Sequence, residues 1–376
     1  MSILDKASFY LPAGAAYKQS EIWAAKPLTD DAKCNFYRDS LATRITDCDE
    51  VKTQDNAIPA YRYRDGIPFL QLEQQSTNII PYYIVGTGWS SSAGCTVTTK
   101  YAVSPEGKIN ASRIQSANSN DYVLESCSVT NGQVYTYSIY AKGESGKQIR
   151  LYTDGSGSVN TEFTLDGSWQ RFSVNVTATN TGSLNAHVLM GYGSSNPARD
   201  FLLWGAQVES GSVPTSLIKT TGSTATRDKT RIRNTNTSLW NNAYGVLYAD
   251  IYFYGGTSGQ TLGIDGGSGV CRIVVDSSGS IQGHYFESST YKATTDYTVN
   301  VGRHKVAYKF LSGSSALFVD GVKVGTSSQT FNTVSFDTLR INELWGAYDY
   351  GGVDLYEAAV FDQTLNDDEL ISLTTL

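Results

Sequence analysis

The chain runs to 376 residues, yet it holds only two methionines, three histidines and five cysteines, and 17% of it is charged. Each scarcity removes a class of function. His187, His284 and His304 lie far apart on stretches that read as strands, with His304 beside Gly302 at a strand start. That pattern suits half-exposed strand residues better than a catalytic base, which needs neighbours to hold it. Cys34, Cys48, Cys95, Cys127 and Cys271 are odd in number and form no C-x-x-C pair. Buried free thiols in a protein folded in a reducing cytoplasm fit them better than a disulfide framework or a zinc site. The net charge is −7, and the densest basic run, Arg227-Asp228-Lys229-Thr230-Arg231-Ile232-Arg233, is short and interrupted. It reads as a linker, and nucleic-acid binding, which needs a basic face to displace counterions, is not expected. No G-x-S-x-G elbow is present, and the glycine runs at 255–259 and 263–267 lack the lysine of a phosphate loop and read as turns. No apolar run approaches the roughly 18 residues of a membrane span. Met1 to Lys6 shows no basic stretch leading into an apolar one, so neither membrane insertion nor ordinary secretion is expected.

What is abundant is glycine, at 35 residues, and tyrosine, at 25. With many serines and threonines, they describe short strands joined by tight turns. A chain of this length exceeds a single core, and its texture changes along its length. Within residues 1–77, those up to about 66 are the least sandwich-like, with Phe9-Tyr10-Leu11 and Ile22-Trp23 isolated among Pro12, Gly14 and Pro27, while Phe69 to Glu73 reads as an edge strand. Together residues 1–77 read as an extended N-terminal arm that needs a partner surface to order it. Residues 78–222 carry about eight strand-like runs, a spacing typical of a two-sheet sandwich or jelly roll. In Trp169 to Ala178, Phe172, Val174 and Val176 share one face; in Gln133 to Lys142, Tyr135, Tyr137 and Ile139 do. Trp89, Trp169 and Trp204 are expected in the core. Phe201 to Val208 reads as the closing strand, and the small, polar stretch that follows, to Arg227, as a strap. Residues 223–376 repeat the texture: Asp320-Gly321 marks a hairpin, and Asn366 with Glu369 forms a capping box opening a short C-terminal helix. The fold class is all-β: two consecutive antiparallel β-sandwiches preceded by an extended arm, with one short C-terminal helix.

Three stretches carry a resemblance. Asn35 to Arg44 and Pro68 to Pro81, read as F-x-R-x-S-x-A-T-R and P-x-L-x-L-E-x-Q-x-T-N-x-I, resemble a leader of bacteriophage virion proteins, particularly tail and head fibres. Phe201 to Arg227 resembles the end of the domain that follows it there, with W-G-A-Q-x-E-x-G at Trp204 to Gly211, T-S-x-I at Thr215 to Ile218, and T-R at Thr226-Arg227. The resemblance implies a jelly roll similar to carbohydrate-binding modules over 78–222. The C-terminal part resembles the concanavalin A-like lectin/laminin-G superfamily through Lys305 to Phe310, Ala316 to Gly321 and Glu357 to Leu365. Together these imply a fibre or decoration protein of a phage virion, made in the host cytoplasm. It would be attached to other virion proteins through residues 1–77, and it would be a homotrimer as such fibres commonly are. Its role would be host adsorption through surface polysaccharide, or head or tail assembly alone. A cell-encoded lectin is the weaker alternative.

Lectin-like sandwiches also include glycoside hydrolases, which resemble E-x-D-x-x-E on one inner strand. Here Gly352-Val353-Asp354-Leu355-Tyr356-Glu357 places glycine at the nucleophile, and three-residue spacing puts Asp354 and Glu357 on opposite faces of a regular strand unless a bulge intervenes. A non-enzymatic protein is therefore expected over a glycan-cleaving depolymerase. No cofactor is expected. Structural calcium has candidates in Asp265, Asp276 and Glu209, none with ligand spacing. Sugar contact needs aromatic platforms with amides and carboxylates. The densest such cluster, Glu343, Trp345, Tyr348, Asp349 and Tyr350, with Tyr285 and Trp240, is the expected glycan or partner contact surface.

Overall fold

The computed structural model describes residues 2–18, 20–46, 50–118, 120–191, 193–255, 259–267, 269–276, 278–288, 290–343 and 353–376. The chain is all-β, with antiparallel sheets and one short α-helix, Asp367–Thr374, among the described residues. It divides into two compact units, each built from more than one stretch of chain. One unit comprises Ser76–Arg227 together with Ala42–Thr53; the other comprises Met1–Leu41, Gln54–Gln75 and Asp228–Leu376.

The continuous body of the Ser76–Arg227 unit is a sandwich of two five-stranded sheets. Tyr122–Val129, Gly182–Leu189, Gln148–Gly155 and Val159–Thr164 pair in that order in one sheet. Cys95–Val103, Ile109–Ser116, Asp200–Ser210, Val134–Gly143 and Gln170–Thr177 form the other. Alternation works as expected: Tyr135, Tyr137, Ile139, Val174 and Val176 enter the core with Val123, Leu151 and Val188 from the facing sheet.

The closing strand departs from alternation at one point. Tyr140 pairs with Trp204 and Ser138 with Gln207, so Gly205 and Ala206 together oppose Ile139. Gly205 has φ +70°, which an L side chain adopts only at a cost. This bulge returns Ala206 and Val208 to the core while Trp204, Gln207 and Glu209 share the opposite face. Trp204 is fully buried there against Tyr83, Tyr140 and Leu217. The excursion Ala42–Thr53 closes over the same cluster with Val51, and Thr43 donates to the Leu217 carbonyl at 2.9 Å.

The second unit is a sandwich of an eight-stranded and a nine-stranded sheet. Leu247, Ile251, Val306 and Leu355 from the first meet Ile264, Ile273, Leu339 and Ile341 from the second. Here the expected arm is corrected. Phe9–Pro12 pairs with Val353–Phe361, its Phe9 opposite Val360, and Lys33–Tyr37 pairs with Arg231–Asn234. Phe9, Ile22 and Cys34 are completely buried, and Leu11 and Phe36 nearly so. The apolar pieces of the N-terminal segment are strands of the two sheets, joined to strands beyond residue 228 through Phe9–Pro12, Lys33–Tyr37 and Ile67–Leu72, so this segment is core. At the far end of the chain the helix is capped as expected: Asn366 accepts from Glu369 N, and Glu369 accepts from Asn366 N, both at 2.9 Å.

Candidate functional site

The strap residues of the first unit were candidates for identity rather than chemistry, and their geometry explains why they occur together. Glu209, fully buried, accepts from the Ser76 hydroxyl at 2.6 Å, from Gln207 Nε2 at 2.5 Å, and from the Thr215 amide and hydroxyl at 2.8 and 2.5 Å. Arg227, also fully buried, donates to the hydroxyls of Thr215 and Ser216 at 3.0 and 3.1 Å. Asn78 bridges the Ala206 and Ile218 carbonyls and accepts from Val208 N. The bulge at Gly205 makes the network possible by aiming Gln207 and Glu209 at the strap. Every carboxylate oxygen of Glu209 already holds protein donors, a set a calcium ion would have to displace. Asp265 is likewise held by Arg340, and Asp276 by Ser278 and Ser280. Among the described residues no group of three histidine, cysteine, aspartate or glutamate side chains is placed to hold a metal.

The expected contact surface fares differently residue by residue. Trp345, Tyr348, Asp349 and Tyr350 lie outside the described residues. Tyr285 is completely buried, stacked 3.7 Å from Phe331, and donates to the Asn332 carbonyl. Trp240 is 6% exposed and donates to the Phe336 carbonyl. Both are core residues and are withdrawn from a contact role: Tyr285 shares the inward face of Ser280–Glu287 with Ile281. Glu343 is buried too, paired with Arg233, Arg340 and Arg231; burial raises its pKa, but the Arg233 and Arg340 guanidiniums outweigh it and hold the carboxyl below the usual range.

Asp354 and Glu357 also differ from expectation. Asp250 pairs with Glu357 and Ile251 with Leu355, leaving Tyr356 as an extra residue. With Leu355 and Ala358 in the core, the bulge places both carboxylates on one face. Each is engaged: Asp354 by Arg64 and the Tyr254 hydroxyl, Glu357 by the hydroxyls of Tyr10 and Tyr248 at 2.7 and 3.2 Å. Burial, outweighing these partners, pushes Asp354 up to about 6.

The arrangement with the chemistry of a ligand face lies on the outer side of the Tyr122–Val129 sheet in the first unit. Cross-strand register aligns Leu124, His187, Tyr152 and Asn160 in one row and Ser126, Asn185 and Asp154 in the next. His187 is wedged between Tyr122 and Tyr152, with ring centroids at 5.4 and 5.2 Å. It is only 6% exposed; Nδ1 has no hydrogen-bond partner, and Nε2 lies 3.3 Å from Asp154 Oδ2. Burial lowers its pKa despite that carboxylate, so the ring is neutral at pH 7 and keeps one donor and one acceptor. Around it runs a chain of amides and charges. Ser126 donates to Asn185 and Asn185 to Asp154, both at 2.6 Å; Arg150 donates to Asn160 at 3.2 Å and Glu162 at 3.0 Å. Sequence reading passed over Tyr122, Tyr152, Asp154 and Asn185. The available signal was parity, since each alternates with a core residue of its strand.

No family model matches the chain, and no curated protein matches it. Among solved structures it is similar to a CBM40 of the Ruminococcus gnavus IT-sialidase bound to α2,6-sialyllactose, at 19% identity and a TM-score of 0.31, covering 36% of this chain and 84% of that one. It is also similar to the Trypanosoma rangeli sialidase (10% identity, TM-score 0.31, 91% and 77% covered). A tandem CBM22 pair of Paenibacillus barcinonensis Xyn10C gives 10% identity and a TM-score of 0.27, with 80% and 93% covered. Scores this low assign neither a family nor a ligand to this chain.

Proposed function

We propose that the protein is a non-enzymatic glycan-binding component of a phage virion, a fibre or surface-decoration protein whose first sandwich contacts host-surface polysaccharide. The observation that carries the binding part is His187, neutral and held between two tyrosines, beside Asp154, Asn185 and Arg150. Aromatic faces for the CH side of a sugar ring, with convergent amide and carboxylate groups for its hydroxyls, are what shallow saccharide sites use. The virion part rests on the sequence resemblance, of whose motif residues Gln207, Glu209, Thr215, Ser216 and Arg227 share the buried network around Glu209. Association with other virion proteins and a trimeric state belong to the same proposal, but residues 1–77 do not supply a free arm for attachment. Absence of catalysis is proposed because both Asp354 and Glu357 are tied to protein donors.

The test is a glycan array of the full chain against host-surface and reference polysaccharides, with Tyr152→Ala and Tyr122→Ala alongside. Binding by the wild-type chain that falls at least about fivefold in either variant is expected, since a stacked aromatic contributes on the order of 1 kcal/mol or more. No wild-type binding, or binding indifferent to both substitutions, would leave the assembly-only reading standing. Immunogold labelling of particles checks the virion location separately.

A further inference from the structure

A second ligand site follows from an unbalanced charge in the other unit. On the outer face of its nine-stranded sheet, cross-strand register places Arg233, Arg340, Gly263, Arg272 and His284 side by side on consecutive strands. Arginines in such a row repel unless carboxylates intervene, and for the first two they do. Glu343 bridges Arg233 and Arg340, and Asp265 holds Arg340 Nε at 2.5 Å. Arg272 has no carboxylate partner among the described residues. Its Nε is buried without an acceptor, and burial lowers its pKa, only partly offset by the Tyr291 hydroxyl beside it. Next to it His284, 6% exposed, has a buried Nδ1 with no partner, and burial together with the Arg272 charge brings its pKa down to about 4. A desolvated guanidinium without a counter-charge is costly, and a neutral imidazole beside it offers a further donor through its Nδ1–H tautomer. Tyr291, 49% exposed, packs edge-on against His284 and Phe286 at 4.9 and 4.2 Å and borders the pair with an open aromatic ring.

We infer that Arg272 and His284 receive an oxyanion, the carboxylate or sulfate of an acidic saccharide, with Tyr291 stacking on its ring. The guanidinium supplies the charge and a planar donor array, the imidazole fixes direction, and the tyrosine distinguishes a saccharide from a free ion. This site does not depend on the Tyr122–Tyr152 face.

With three histidines in the chain, each imidazole Cε1–H can be followed by NMR and assigned through single His→Gln variants. The full chain is titrated at constant ionic strength with trigalacturonate, a sulfated galactose trisaccharide, inorganic sulfate and neutral galactotriose. A saturable shift of the His284 signal with either acidic saccharide is expected, absent with galactotriose and at least tenfold weaker in Arg272→Met. Whichever of the two acidic saccharides responds names the anion. Tyr291→Ala, at an exposed position, should weaken saccharide binding by a larger factor than it weakens the response to inorganic sulfate. No saturable shift with any anionic probe, or unchanged affinity in both variants, would overturn the inference; so would sulfate binding as tightly as the saccharides. Tyr152→Ala should leave this response intact.

Discussion

Thr215 donates to Glu209 twice, from its backbone amide at 2.8 Å and from its hydroxyl at 2.5 Å, and so ties the strap to the closing strand of the first sandwich. Both residues belong to the stretch resembling phage fibres, and their pairing makes that stretch a structural lock. Glu209→Ala would leave the Thr215 amide and the Ser76 hydroxyl unpaired in a dry site. The expected loss is on the order of 3 kcal/mol, read as a lower unfolding midpoint in urea with an unchanged slope.

Gly205→Ala tests the bulge that aims this network. The residue has φ +70°, and an added methyl would stand 2.9 Å from Tyr140 Cδ2. A loss of about 1–2 kcal/mol is expected from the left-handed backbone alone. A neutral result in thermal unfolding would mean that the strand can re-register without the bulge.

Removal of residues 1–12 separates an arm from a core strand. Phe9 and Leu11 are each at most 1% exposed, and burial of such side chains stabilises by about 1.5–3 kcal/mol apiece. The truncated chain should lose about 3–6 kcal/mol, or fail to fold in its second unit. Unchanged calorimetric unfolding would restore the attachment-arm reading.

Two buried groups give the second unit opposing responses to pH. Asp354 has its folded pKa raised to about 6 from 3.8, so its folded form holds the proton more tightly than the unfolded chain. Its contribution is fully present below about pH 4 and is lost as pH rises through 6. The stability of wild type relative to Asp354→Asn should therefore improve as pH falls from 7 to 4. His284 is lowered from 6.5 to about 4. Its contribution is complete above about pH 6.5 and fades as pH falls toward 4, so wild type relative to His284→Gln should worsen over the same interval. Denaturation midpoints across pH 4–7 check both signs.

Local chemistry was legible from sequence. Asp320 and Gly321 both have positive φ, at 49° and 77°, as a tight hairpin requires, and the Asn366–Glu369 box forms, because each depends on neighbours a few residues away. Partners distant along the chain were not legible. Phe9 looked like an isolated aromatic because its opposite number is Val360. Tyr285 looked like a loop platform because its inward parity was masked by Gly283 and His284 beside it. Asp354 and Glu357 were assigned to opposite faces because a bulge shifts register without any sequence mark. The face around His187 was missed for a related reason: its members sit on several strands and meet only through cross-strand register.

The interrupted path of the second unit sets an order of events during synthesis. Residues 76–227 can leave the ribosome and close their own sandwich while Phe9–Pro12 still lacks Val353–Phe361 and Lys33–Tyr37 still lacks Arg231–Asn234. At about 5–20 residues per second, those apolar segments wait on the order of ten seconds or more for residues 228–376. During that interval Phe9, Ile22 and Phe36 are open to whatever else is near, including the same segments of sister chains emerging on one message.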